Sequence, residues 1–98
     1  EMINVGGKKV SPVEVENAII SLGIEDCVCV GIDDPRGVLG QVVKAYLLKG
    51  TSNLTFEDIM ISLMAKLEHF KVPVEYEWVD KIPKTLSGKK QRLLLCKK

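Results

Sequence analysis

The sequence contains no apolar run near the roughly 20 residues a membrane-spanning helix requires. It has one histidine, so a zinc site would have to draw on scattered cysteines, and zinc normally wants four clustered ligands. Cysteine is sparse and odd in number, and no signal peptide is visible at the start. Reduced thiols in a cytoplasmic setting are therefore the expectation. Excess charge is also missing: the formal net charge is only +1, so no global attraction to nucleic acid or membrane is implied. There is no internal repeat and no low-complexity segment. The chain starts inside its first structural element with no leader before it, which suggests a piece of something longer.

What is present suits one small domain. Apolar residues make up 46% of the 98, enough for a packed core and too many for a disordered chain. The near-neutral balance hides an asymmetry. From Lys81 to Lys98 there are seven Lys or Arg and no Asp or Glu. That end either meets a phosphate or is simply solvated. It carries no interleaved aromatics, which weakens the reading of a small basic nucleic-acid-binding module.

Periodicity orders the elements. Ile3 and Val5 lead into Gly6-Gly7, a pair that turns easily because glycine accepts positive φ, and Lys8 to Val10 lead out. Ser11, Pro12 and Glu14 announce a helix by cap, first-turn proline and capping box. Val15, Ala18, Ile19 and Leu22 form its apolar face, and Gly23 is a natural stop. The β-branched run from Cys27 to Ile32 predicts a buried strand that sets Cys27 and Cys29 on one face. Residues 33–37 are turn chemistry. Gln41 to Leu48 predicts an antiparallel partner strand.

Thr55 and Asp58 open a second helix. Its stripe is Phe56, Ile59, Met60, Leu63, Met64 and Leu67, with the methionines expected in the core and Pro73 barring continuation. Val74, Tyr76 and Trp78 alternate with Glu75 and Glu77, a half-exposed strand in which Trp78 packs on the core. His69 is expected at the surface near a helix end. Leu93 to Leu95 suit a final short helix. The sum is an α+β domain: a small, mostly antiparallel sheet with an N-terminal β-hairpin and two main helices.

Two segments carry chemistry. Residues 83–92, Pro-Lys-Thr-Leu-Ser-Gly-Lys-Lys-Gln-Arg, combine short donors, flexible backbone and ammonium groups, a composition suited to phosphate. The pattern is not a Walker loop, because the glycine, lysine and hydroxyl spacing is wrong. Composition leaves open a solvated tail or a phosphate-directed lysine. Near the start, residues 4–16 put two glycines where another molecule can approach the backbone closely.

Together, Gly-Gly-x-x-Val-Ser-Pro-x-Glu-Val-Glu and Pro-Lys-Thr-x-Ser-Gly-Lys-x-x-Arg resemble the last motifs of the adenylate-forming (AMP-binding) superfamily. Residues 30–34, 70–73 and 78–83 match the same C-terminal domain in order and spacing, so the resemblance covers essentially the whole chain. That superfamily includes acyl-CoA and aryl-CoA synthetases, peptide-synthetase adenylation domains and beetle luciferases. The chain looks most like the C-terminal lid of an acyl-CoA synthetase, or fatty-acid–CoA ligase.

The resemblance implies a much larger N-terminal adenylation domain and a hinge residue, both absent from residues 1–98, and inactivity of the lid alone. It implies ATP, Mg²⁺ and CoA as reactants of the whole enzyme, with none bound to the isolated domain, and a carboxylic acid as the second substrate. No nucleic-acid partner, transmembrane segment or metal site is expected. Lys89 would be the catalytic lysine of adenylation, beside Ser87 and Gly88. Gly6, Gly7, Lys8 and, more weakly, Lys9 would form a loop facing CoA in the thioester-forming state. The family has an apolar residue where Lys90 stands; Lys89 is preferred because it follows Ser87-Gly88 directly. Arg92 matches a family arginine, in a packing or a functional role. The alternatives are the lid of a peptide-synthetase adenylation domain, whose acceptor is a carrier-protein thiol, and the basic module above.

Overall fold

A computed structural model describes residues 2–50 and 53–82. Ser87, Gly88, Lys89, Lys90, Arg92 and the helix expected near Leu93 to Leu95 lie outside the described residues.

The chain opens with a hairpin of β1 (Ile3–Val5) and β2 (Lys8–Val10). Its turn residues Gly6 and Gly7 have φ of 60° and 87°, values that side chains on a Cβ resist. Ile3 pairs with Val10 and Val5 with Lys8. Strand alternation therefore sets these four on one face, and Asn4 and Lys9 on the other.

Helix α1 (Pro12–Ile20) starts as expected, with Ser11 Oγ accepting from the Glu14 amide at 3.4 Å. The other half of the expected capping box is replaced. The Glu14 carboxylate instead takes Lys71, 3.1 Å away, and Lys71 also meets Glu68 at 3.2 Å. The hydrogen bond to Glu14, then the one to Glu68, raise the Lys71 pKa above the ordinary lysine range.

Strands β3 (Cys27–Asp33) and β4 (Gln41–Leu48) pair antiparallel, Cys27 opposite Leu47. Strand β5 (Glu75–Val79) then joins β4 in parallel, giving the order β3-β4-β5. That last pairing requires a crossover, supplied by α2 (Phe56–Lys66). Thr55 and Asp58 form the full reciprocal capping box of α2. The helix stops at Lys66, well before Pro73, and a short 3-10 turn follows at His69–Lys71. His69 is exposed, as expected.

Both helices cover one sheet face. Val15, Ile19, Cys27, Cys29, Val43, Ala45, Leu47, Ile59 and Leu63 form the core there. Phe56 stacks against Tyr76 and Trp78, with ring centroids 5.6 and 5.4 Å away, so Trp78 does pack on the core. Two expectations fail. Met64 is 50% exposed and Val74 is 53% exposed, because α2 turns only Ile59 and Leu63 fully inward and Val74 precedes the strand. A charged residue is buried as well: the Glu16 carboxylate accepts from the Cys29 amide at 2.8 Å and so links α1 to β3.

The opposite sheet face carries Val28, Val30 and Tyr46. There Lys44 bonds Glu77 at 3.1 Å and lies 4.7 Å over the Tyr46 ring. Burial works against the Lys44 charge, yet its partners, Glu77 foremost, outweigh that and raise its pKa. No described helix is long and apolar enough to cross a membrane.

Candidate functional site

The hairpin tip does not project freely. It is tied to the loop between β3 and β4. The Gly6 amide donates to the Leu39 carbonyl at 2.8 Å, and the Asn4 amide donates to Gln41 Oε1 at 3.1 Å. Val5 and Gly40 form an isolated antiparallel bridge. Within the tip, Asn4 Oδ1 accepts from the Gly7 amide at 2.9 Å, closing the turn from inside. A Cβ on Gly6 would come within 3.0 Å of the Leu39 side chain, whereas one on Gly7 would meet nothing within 4 Å among the described residues. Gly6 is therefore the packed glycine and Gly7 the open one.

The receiving loop is shaped by a single carboxylate. The Asp34 side chain is only 1% exposed. Its Oδ1 accepts from the Arg36 amide at 3.0 Å and Nε at 3.3 Å, and its Oδ2 from the amides of Val38 at 3.1 Å and Leu39 at 2.8 Å. The amide bonds from Arg36 and Leu39 lead in holding the Asp34 pKa down at about 2, against the opposing pull of burial. Asp34 was legible as a turn residue, since aspartate caps amides two residues on. That it would organise the seat of a distant hairpin was not.

Beside this seat runs a groove of about 750 Å³. Gly6 and Lys8 form one rim and Arg36 contributes another cation. Met60, Phe70 and Val74 supply apolar wall. Lys8 Nζ lies 4.8 Å over the Phe70 ring, a cation–π distance that holds the ammonium at the rim. Of the residues singled out from sequence, Gly6 and Lys8 thus line the groove and Gly7 sits at the adjoining tip. Lys9 is exposed on the other face of the hairpin and does not line it. Phe70 and the apolar wall were not singled out as site residues. Their signal was the exposed Met64 and Val74, which only a three-dimensional arrangement reveals.

The described residues offer no cluster of His, Cys, Asp and Glu able to hold a metal ion. Cys27 and Cys29 are buried, and Cys27 Sγ contacts the Glu16 carbonyl at 3.5 Å.

The described residues thus form a hairpin, two α-helices and a three-stranded mixed sheet, with a glycine tip beside a cation-rimmed groove. The chain belongs to the AMP-binding enzyme C-terminal domain family, whose pattern matches residues 14–89. Among curated relatives, the oxalate–CoA ligase of Saccharomyces cerevisiae is 39% identical over 98 residues, 98% of this chain and 18% of that protein. A feruloyl-CoA synthase of an Amycolatopsis species is 36% identical over 91 residues, 91% of this chain and 18% of that protein. Among solved structures, an acyl-CoA synthetase of Brucella canis superposes with a TM-score of 0.85 at 28% identity, over 97% of this chain and 18% of that one. The chain therefore spans about a fifth of the length of these relatives.

Proposed function

We propose that this chain is the lid of an acid–CoA ligase and that its two ends serve different half-reactions. The observation that carries the reading is the near end-to-end match to CoA ligases, within a family match that runs to residue 89. The remaining four-fifths of such a ligase would hold the ATP and acid pocket, and MgATP, the acid and CoA are its substrates.

In the first half-reaction a carboxylate oxygen attacks the α-phosphorus of MgATP, and the bond to pyrophosphate breaks. Two anions must approach, so a cation at their meeting point is worth most in the transition state. Lys89 is that cation in this reading, with Ser87 and Gly88 directly before it in the sequence. Lysine suits the task as a compact charge on a flexible stem. In the second half-reaction the CoA sulfur attacks the acyl carbon, the bond to AMP breaks, and the thiol proton is lost to the medium. Here the Gly6–Gly7 tip and Lys8 would line the path of the thiol arm. The open side of Gly7 supports this, since a chain can lie against backbone where no Cβ intrudes.

The acceptor is taken as CoA because the relatives named above are CoA ligases and synthetases; a carrier-protein acceptor remains the second reading within the class. The acyl substrate is left to the missing body.

The test is Lys89→Ala in the full-length ligase. Acyl-adenylate formation should fall on the order of 10²–10³-fold, while thioester formation from supplied acyl-adenylate persists. Equal losses in both steps would reject the role given to Lys89.

A further inference from the structure

The β3–β4 loop has one apolar anchor, Leu39, packed against the core, while Arg36 and Val38 are exposed, Val38 to 72%. The rest of its form comes from directed hydrogen bonds, and these converge on one residue. Asp34 accepts from three backbone amides through its carboxylate, takes the Gly37 amide on its carbonyl at 2.9 Å, and donates its own amide to the Gly40 carbonyl at 2.9 Å. The same loop then presents the Leu39 carbonyl to Gly6 and Gly40 to Val5.

We propose that Asp34 is a positioning residue for the thioester-forming step: it folds residues 35–39 so that the Leu39 carbonyl captures the Gly6 amide and fixes the angle of the hairpin tip. The proposal rests on the reading that the tip lies along the CoA path. The Asp34 carboxylate is 1% exposed and engaged with amides of its own loop, so it acts through the loop and not on the substrate. Its effect travels through one loop and one hydrogen bond, a distance over which a shift of about 1 Å at a reacting centre can cost up to about 10²-fold in rate.

The carboxylate is specifically needed. Both of its oxygens face amide donors, Oδ1 toward Arg36 and Oδ2 toward Val38 and Leu39. Asparagine keeps the shape but has one acceptor oxygen and one NH₂, so whichever way it is turned a donor faces a donor. Residues 35–39 then lose either the Arg36 turn or the segment that aims Leu39.

The experiment uses the full-length ligase and measures the two half-reactions apart. Asp34→Asn should lower kcat of thioester formation from supplied acyl-adenylate roughly 10- to 100-fold, with adenylate formation within about twofold of the parent. A purely structural role would reduce both steps together, in proportion to the folded fraction, and would overturn the proposal. If Asp34→Asn does not fold, Gln41→Ala carries the test, because it removes the separate tie from Gln41 Oε1 to the Asn4 amide. It should give the same one-sided loss, and an even loss counts against the proposal. Gly7→Asn tests the underlying reading independently. If it leaves thioester formation untouched, the tip does not face CoA and the proposal falls with that reading. If it lowers thioester formation while Asp34→Asn does not, the tip reading stands and the role of Asp34 alone is wrong.

Discussion

The side of the sheet under the two helices and the corner where the hairpin meets the β3–β4 loop are held by different physics. Under the helices, Ile19, Leu47, Ile59 and Leu63 are fully buried, and the stabilisation scales with the apolar area taken from water. At the corner, glycines, exposed side chains and a handful of hydrogen bonds fix the backbone. A core of the first kind tolerates exchange among residues of similar volume. A corner of the second kind depends on individual atoms, and a fold can lose it without losing its core. In this chain the apolar side supplies the platform and the polar corner carries the candidate site.

Breaking the core should cost most. Leu63→Ala is expected to lower unfolding free energy by about 2–5 kcal/mol, read from urea denaturation, and to weaken any activity through the folded fraction alone. Acid should probe the corner next. The Asp34 pKa is depressed to about 2 from an ordinary 3.8, so its contribution to stability is complete above about pH 4 and fades as pH falls toward 2. The urea midpoint should drop over that window in the parent chain and drop less in Asp34→Asn. An identical pH dependence in the two would show that the carboxylate is not what holds the loop.

Gly6→Ala sharpens the contrast within the tip. The positive φ costs roughly 1–2 kcal/mol, and the Leu39 side chain must give way. Thr55→Ala, which removes the reciprocal cap of α2 and no hydrogen bond of the corner, should cost about 1 kcal/mol and spare both half-reactions of the ligase. The smallest effect belongs to Tyr76→Phe. The Tyr76 hydroxyl is buried with no hydrogen-bond partner among the described residues, and burial pushes its pKa well up. Losing it should leave stability within about 0.5 kcal/mol or raise it slightly, as calorimetry would read.

Much of the platform was legible because it obeys simple periods. Ser11-Pro12 and Thr55-Asp58 are local signals with local causes, and both start helices where they should. The hairpin followed from Gly6-Gly7. What escaped was long-range. Nothing local marks Glu16 as buried, since its partner is the Cys29 amide across the α1–β3 connection. Met64 continues the apolar stripe of α2 on paper, yet it lies beside the groove rather than inside the core. The parallel joining of β5 to β4 likewise depends on the crossover and not on the alternation of Tyr76 and Trp78. At the site, the glycine tip and Lys8 were legible as motif, and their seat on Asp34 was not, because a turn aspartate looks the same whether or not a hairpin leans on it.

If opposite ends of this chain act in successive chemical steps, two single variants should lose opposite activities. Lys89→Ala and Gly7→Asn, each in the full-length ligase, are assayed for pyrophosphate release and for thioester formation from supplied acyl-adenylate. Asparagine is chosen because it tolerates positive φ and a Cβ on Gly7 meets nothing within 4 Å among the described residues. Lys89→Ala should lose only the first activity and Gly7→Asn only the second. Loss of the same step in both variants, or of both steps in either, would contradict that division.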